Sequence, residues 1–264
     1  MNAHTIEWSH LAAGSLLLII PIGILIYFRT GLGWTAVIAC ARMVIQLLLV
    51  GAYLKYIFAA ASIALNLAWV FVMATVAVVS MSRRATVRTS VFFGPVLLGL
   101  LAGVVVTEGV IFAVILRTPE PLNESRYIIP ITGMILGNCL QAGIIAVRTC
   151  YHGLLEHLGE YRYLLAAGAS RAEALAPFLR EALRAAFQPS IASIATIGLI
   201  TLPGMMTGQL MSGSSPITAI QYQIMIMIAI FAGSTIAVIV SILAANRIVF
   251  DAYGNPRENR IRAR

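Results

Sequence analysis

The side chains of this chain that could do chemistry are few, and most of them stand inside apolar stretches. Arg42 and Glu108 are charges within hydrophobic runs, and a charge at membrane depth is costly enough to be read as functional by default. Gln46 follows Arg42 one helical turn along the same face. Glu108 lies about 17 residues, hence ~25 Å, from the start of its run, where a carboxylate could take a cation or a proton. An Arg42–Glu108 pair is conceivable, with a depth offset of ~11 Å. Met134, Asn138 and Cys139 share another run, Met225 and Met227 stand in the last, and Met205, Met206, Gln209 and Met211 follow a Pro203-Gly204 pair. Thioethers suit Cu(I) better than ferric iron, and they also serve as packing material at moving interfaces. The Pro203-Gly204 pair frees a backbone carbonyl and permits a bend, and broken helices at membrane depth line wet cavities. Pro203, Gly204, Met205, Met206 and Gln209 are therefore read as a gate, and Arg42, Gln46, Glu108, Met134 and Asn138 as a substrate pathway. Among His152, Glu156, His157 and Glu160 only the first two share a helical face, and His4, Glu7 and His10 are sparser still, so the metal ligands stay unknown. No Ser-His-Asp or Cys-His set can be assembled from spacing, so no catalytic residue is assigned.

The elements that must position these residues are set by composition. Of 264 residues 60% are hydrophobic and only 11% are charged, against roughly a quarter charged in soluble domains. The chain reads as an all-α, polytopic membrane protein. With about 20 apolar residues per crossing, spans fall at 9–28, 33–54, 57–80, 91–116, 127–150, 188–211 and 217–246, within one transmembrane domain over 1–264. The last two come from one uncharged run, Ala185 to Asn246, whose ~93 Å of helix is too long for a single crossing. It must fold back at Ser212-Gly213-Ser214-Ser215-Pro216. The only lysine is Lys55, in a stretch with no Gly-rich loop, so the chain carries no phosphate cradle of its own. Cys40, Cys139 and Cys150 form no disulfide or zinc pattern.

Charge gives the orientation. Glu7 precedes the first span and Arg29 follows it, which favours an outside N-terminus and argues against a cleaved signal. The inner segments then hold Arg29, Arg83, Arg84, Arg88, Arg148, Arg162, Arg171, Arg180, Arg184, Arg247, Arg257, Arg260, Arg262 and Arg264, and the outer loops hold only Lys55, Arg117 and Arg126. That asymmetry is the positive-inside pattern of a multi-pass inner-membrane protein with a cytoplasmic C-terminus. The net charge of +8 is thus topological, and nucleic acid is not an expected partner.

Residues 151–187 form the one sizeable soluble segment. Leu154, Leu155, Leu158, Leu164 and Leu165 among Glu156, Glu160 and Arg162 make an amphipathic helix that stops at Gly168. Ser170-Arg171-Ala172-Glu173 has the spacing of a capping box and starts a new helix. Pro177 is expected to end it and to open a third piece at Phe178, leaving a short transverse helix between longer ones.

The turn Ala166-Ala167-Gly168-Ala169-Ser170 resembles the EAA coupling loop of ATP-binding-cassette transporter permeases. Two stretches in the spans, Ile129-Pro130-Ile131-Thr132-Gly133-Met134-Ile135-Leu136-Gly137-Asn138 and Gly198-Leu199-Ile200-Thr201-Leu202-Pro203-Gly204-Met205-Met206-Thr207-Gly208, resemble the hallmark stretches of the FetB-type permease family. Arg42-x-x-x-Gln46-Leu47-x-x-x-Gly51 and Tyr222-Gln223-Ile224-Met225 fit the same pattern, so the similarity covers about residues 33–247. The resemblance implies a permease without its own ATPase site, paired with a separate FetA-like ATP-binding subunit that binds ATP and Mg, in an exporter of iron. Plant relatives are tied to aluminium tolerance. Ala166, Ala167, Gly168, Ala169, Ser170, Arg171 and Glu173 would then couple to that subunit, and two ATPase subunits would require two permease halves, hence a homodimer. Glycine pairs at Gly133/Gly137 and Gly204/Gly208 are suited to close helix contact. Other metals and nucleotide sugars remain alternative cargoes, and an ATPase-independent channel or proton-coupled carrier using Glu108 and Arg42 remains an alternative function, as does a membrane scaffold that transports nothing.

Overall fold

A computed structural model describes residues 8–60, 62–116, 125–251 and 253–262. His4, Glu7, Arg117 and Arg264, used above for orientation and ligand chemistry, lie outside the described residues. The described residues are helical apart from turns and three isolated bridges. In chain order the helices are α1 (Trp8–Ser15), α2 (Ile19–Tyr27), α3 (Gly33–Ala60), α4 (Ile63–Arg84), α5 (Thr89–Val110), α6 (Ser125–Glu156), α7 (Leu158–Ala166), α8 (Arg171–Thr196), α9 (Gly204–Met211), α10 (Pro216–Val249) and α11 (Glu258–Ile261). One 3-10 turn, Leu16–Leu18, joins α1 to α2, and a π-helical turn, Ile111–Leu116, follows α5. Among the described residues six helical stretches are long and apolar enough to cross a membrane: Ser9–Tyr27, Gly33–Ile57, Ile63–Arg84, Thr89–Ala113, Ile128–Glu156 and Pro216–Val249.

The chain divides into two compact units. The first, Met1–Ala61 with Met211–Gly213, is a helical hairpin of α1–α2 and α3. Arg29 at φ 49° and Gly31 at φ 73° reverse the chain. Gly33 then lets α3 pass close to α2, because a Cβ there would sit 2.6 Å from Ile26 Cγ1. The apolar side chains of this hairpin are exposed along nearly their whole length, Leu17, Ile20, Ile24 and Leu49 among them.

The second unit, Ser62–Leu210 with Ser214–Arg264, holds the packed core. Its axis is the pair α5 and α10. On α5 the buried residues Phe92, Pro95, Val96, Gly99, Leu100, Gly103, Val104 and Thr107 recur at the three- and four-residue spacing of one helical face. A Cβ on Gly99 would collide with Ser241 Oγ and Ala237 O, and one on Gly103 would lie 2.6 Å from Gly233 O. Gly233 in turn meets Thr107 and Ile135, which brings α6 against the same seam. Within the single chain the close contacts on this seam are therefore at Gly99, Gly103 and Gly233. Gly137, Gly204 and Gly208 have nothing of the chain within 4 Å, and Gly133 meets only the flexible tip of Met73.

Three expectations about helix ends are corrected. The second crossing continues through Lys55 to Ala60, and α4 starts after an extended Ser62, so Lys55 is helical and not in a loop. Tyr56 and Ile57 offer no reason for a helix to stop. Pro177 does not break α8, which runs unbroken from Arg171 to Thr196 through both Pro177 and Pro189. Pro177 removes one helical hydrogen bond at a cost of about 3 kcal/mol. It sits on the exposed face, where water reaches the freed Glu173 carbonyl, while Leu175 and Phe178 beside it are buried, each contributing roughly 1.5–3 kcal/mol. The expected short transverse helix is thus the start of a long one. The segment 188–211 is broken as expected, but its helix ends at Thr196, before the Pro203-Gly204 pair. It is non-helical over 197–203, where Gly198 at φ 85° folds its N–H onto Thr201 O at 3.0 Å. The turn at 212–216 falls where expected, with Gly213 at φ 93°, Ser215 as N-cap and Pro216 as the first residue of α10.

Gly99→Ala is expected to lower stability by about 1–3 kcal/mol, because backbone and not a flexible tip blocks the added methyl. Gly137→Ala should leave stability unchanged or raise it by up to ~1 kcal/mol. Unfolding of the two variants in mixed micelles measures the contrast, and equal effects would contradict the seam.

Candidate functional site

Two places in the second unit collect the residues singled out above, and α8 joins them. The first is the elbow. α6 continues to Glu156, His157 leaves helical geometry, and α7 carries the chain to Ala166. There Gly168, at φ 94°, donates to Leu165 O at 3.1 Å while Ala169 donates to Leu164 O at 3.0 Å. This pairing of donors with the last carbonyls is the Schellman way of ending a helix, and it needs a left-handed residue where Gly168 stands. Ser170 then caps α8. Its N–H donates to Glu173 Oε2 at 2.7 Å, and its Oγ accepts from Glu173 N–H at 3.3 Å. Ala166, Ala167, Gly168, Ser170, Arg171 and Glu173 are exposed and Ala169 is half-buried, so the structure brings the whole expected coupling set onto one turn. Hydrogen bonds from the Ser170 hydroxyl and N–H hold the Glu173 carboxyl below its ordinary value of 4.5.

The second place is a cavity of about 210 Å³ between α6, α8 and α10. Asn138 lines it from α6, Pro189, Ser190, Ser193 and Ile194 from α8, and Met227, Ile230 and Phe231 from α10, so a mostly apolar wall carries a few neutral polar groups. Asn138 Nδ2 donates to Met134 O at 2.8 Å, which leaves Oδ1 as an acceptor. Pro189 has no N–H, so the Ala185 carbonyl one turn earlier is freed. Ser190 and Ser193 follow at the spacing of one helical face. The lining residues carry no formal charge, and at ~30 Å³ per molecule the space equals that of about seven waters. Neutral oxygen donors of this kind can solvate a polar or hydrated solute without attracting it electrostatically over distance.

The other expected pathway residues are not gathered there. Glu108 is half-buried and accepts a hydrogen bond from the Thr132 hydroxyl. Thr132 lies six residues before Asn138 on α6, or ~9 Å away along the axis. Arg42 and Gln46 are exposed on α3 in the first unit. Met134 and Met205 pack against the core, Met206 and Gln209 are half-buried near the start of α9, and Met225 lines a separate apolar groove between α5 and α10. Met227 is the one methionine on the cavity beside Asn138. Among the described residues no three His, Cys, Asp or Glu side chains cluster as a metal site. His152 instead sits 2.8 Å from Thr86 Oγ1.

Residues 8–250 match the family described as Uncharacterised protein family (UPF0014). The chain belongs to this family. It is similar to the probable iron export permease protein FetB of Escherichia coli K12, 30% identical over 91% of each chain. It is also similar to the UPF0014 membrane protein STAR2 of rice, at 36% identity over 81% of this chain and 73% of the relative. The protein ALUMINUM SENSITIVE 3 of Arabidopsis thaliana is 31% identical over 76% of this chain and 72% of its own length. No solved structure matches. The UPF0014 match spans both the elbow and the cavity, and with the six long apolar helices it makes this a multi-pass membrane protein of a family with permease members.

Met227 is among the methionines singled out above, while Pro189, Ser190 and Ser193 are not. The available signal was a proline followed by Ser-x-x-Ser inside an otherwise uncharged run. The capping box makes a testable claim about pH. A carboxyl whose folded pKa is depressed stabilises the fold above its unfolded pKa and loses that contribution as pH falls through the folded value. Amide exchange at the first turn of α8 should therefore quicken, relative to α10, as pH drops below about 4.5. Glu173→Gln should weaken the pH response, and an unchanged profile in that variant would refute the assignment.

Proposed function

We propose that this UPF0014 chain is the membrane-spanning subunit of an ATP-binding-cassette exporter that moves iron or another metal ion out of the cytoplasm. It works as a homodimer with a separate ATP-binding subunit, which holds ATP and Mg. The arginine-rich side carrying the elbow faces the cytoplasm and the N-terminus faces outside, as the distribution of basic residues favours. The iron cargo is carried over from the name of the Escherichia coli relative.

The observation that carries this reading is the continuity of α8. From its cap at Ser170 to Pro189 at the cavity wall the helix is unbroken, a distance of ~27 Å. Closure of an ATP-binding subunit against the Gly168 turn would push on a stiff rod whose far end lines the cavity beside Asn138, Ser190 and Ser193. Beyond the cavity the non-helical 197–203 segment supplies backbone able to absorb the displacement, so that access switches between the two membrane faces.

Reconstitution in liposomes, with and without the ATP-binding subunit, tests the proposal. Metal efflux should require both proteins and ATP. Efflux without the subunit would favour the carrier reading built on Glu108 and Arg42, and ATPase stimulation by nucleotide sugars but not metals would reassign the cargo. Gly168→Val places a β-branched residue in left-handed backbone at a cost of about 1–2 kcal/mol. It should weaken subunit association about tenfold while membrane insertion persists, and association at the wild-type level would count against the elbow.

A further inference from the structure

The segment after α10 is not a loose tail. Asp251 organises a tight loop in which its Oδ1 accepts from Tyr253 N–H at 2.9 Å and Asn255 N–H at 2.7 Å. Gly254, at φ 83°, donates back to Asp251 O at 3.2 Å. The loop thereby turns the Gly254 carbonyl toward α7, where the hydroxyl of fully buried Tyr161 donates to it at 2.6 Å. Phe250 lies 6.0 Å from the Tyr161 ring, and the Arg171 guanidinium covers the other aromatic contact at 5.6 Å. Further on, Arg260 donates to Ile248 O at the end of α10. The α4–α5 turn joins the same segment, since Arg88 donates from its backbone to Ile261 O at 3.0 Å and from its side chain to Asn259 O at 3.0 Å, and Val87 bridges Arg262.

We infer that residues 250–262 are a clamp that fixes the elbow against the α4–α5 turn for docking, and that Tyr161 is the positioning residue through which the clamp acts. This rests on the coupling role proposed above. The clamp touches both flanks of the Gly168 turn, through Tyr161 on α7 and Arg171 on α8, and anchors them to the ends of three membrane helices. Without it, the elbow would keep its packing on α6 and the core but lose its tie to the α4–α5 turn. Burial keeps the Tyr161 hydroxyl above the ordinary phenol value, with Asp251 adding to the shift and Arg171 opposing it, so it remains a donor at any pH near neutrality. The loop lies past residue 250, where the family match ends.

The experiment uses the full chain in nanodiscs with the purified ATP-binding subunit. Tyr161→Phe keeps the ring and removes the hydroxyl, and Asp251→Ala dissolves the loop from within. Both should speed amide exchange over 158–169 by about five- to tenfold, as loss of one buried hydrogen bond implies, and weaken subunit binding to a similar degree. Protection of α5 and α10 should not change. In a chain lacking 251–264, Tyr161→Phe should add nothing, because its partner is already gone. If that deletion does not fold, Asp251→Ala takes its place in the cycle. Wild-type exchange and binding in both point variants would overturn the inference, as would a Tyr161→Phe effect of equal size with the tail removed, or a loosened elbow that still binds at full strength. If the wild-type chain binds no ATP-binding subunit while Tyr161→Phe still loosens the elbow, the coupling reading fails and the clamp stands.

Discussion

Everything in the larger unit depends on how closely α5 and α10 approach. Lipid tails are as apolar as leucine, so burying leucines between helices gains little in a bilayer, and association must come from van der Waals contact and interhelical polar bonds. Gly99 and Gly103 on one helix and Gly233 on the other remove the side chains that would hold the two backbones apart. α6 then packs on the same seam through Ile135, and α4 and α8 pack on α6. The cavity takes one wall from α10 of this central pair and the others from α6 and α8, which pack around it.

Prolines show how environment decides what a local rule does. Pro95, Pro130, Pro177 and Pro189 all sit inside helices that continue through them. In each case one backbone bond is forfeited while a long packed or lipid-facing surface is retained. The chain does break at 197–203, where a left-handed Gly198 precedes Pro203 and the exposed Leu199, Ile200 and Leu202 gain nothing from helical packing in this unit. This break starts at Ile197 beside the left-handed Gly198, ahead of Pro203, which directly precedes α9. That difference makes α8 stiff where a stroke would be received and leaves the yielding backbone beyond the cavity.

The polar groups sort in a corresponding way. Charges gather at the arginine-rich end, where the elbow, the α4–α5 turn and the final loop are stitched by backbone carbonyls accepting from Tyr161, Arg88 and Arg260. Inside the unit the cavity offers neutral oxygens, and the buried carboxyl of Glu108 is answered by Thr132 and not by a cation. A neutral lining attracts a charged solute only weakly.

The amino-acid sequence determined the class of the protein, most of its long helices and the chemistry of the elbow. Those features follow from local rules: a run of apolar residues long enough to span, a glycine required by left-handed backbone at 168, and a serine three residues before a glutamate at 170 and 173. Contacts between distant segments were decided by tertiary structure alone. Gly99 and Gly103 look no different in sequence from Gly137 and Gly208, yet of these four only Gly99 and Gly103 face a neighbouring backbone. The union of Asn138 with Ser190 and Met227, the passage of α8 through Pro177 and the clasp of Gly254 on Tyr161 depend on which helix faces meet. Those meetings are settled by the summed packing of the whole unit, and no window of neighbouring residues contains that sum.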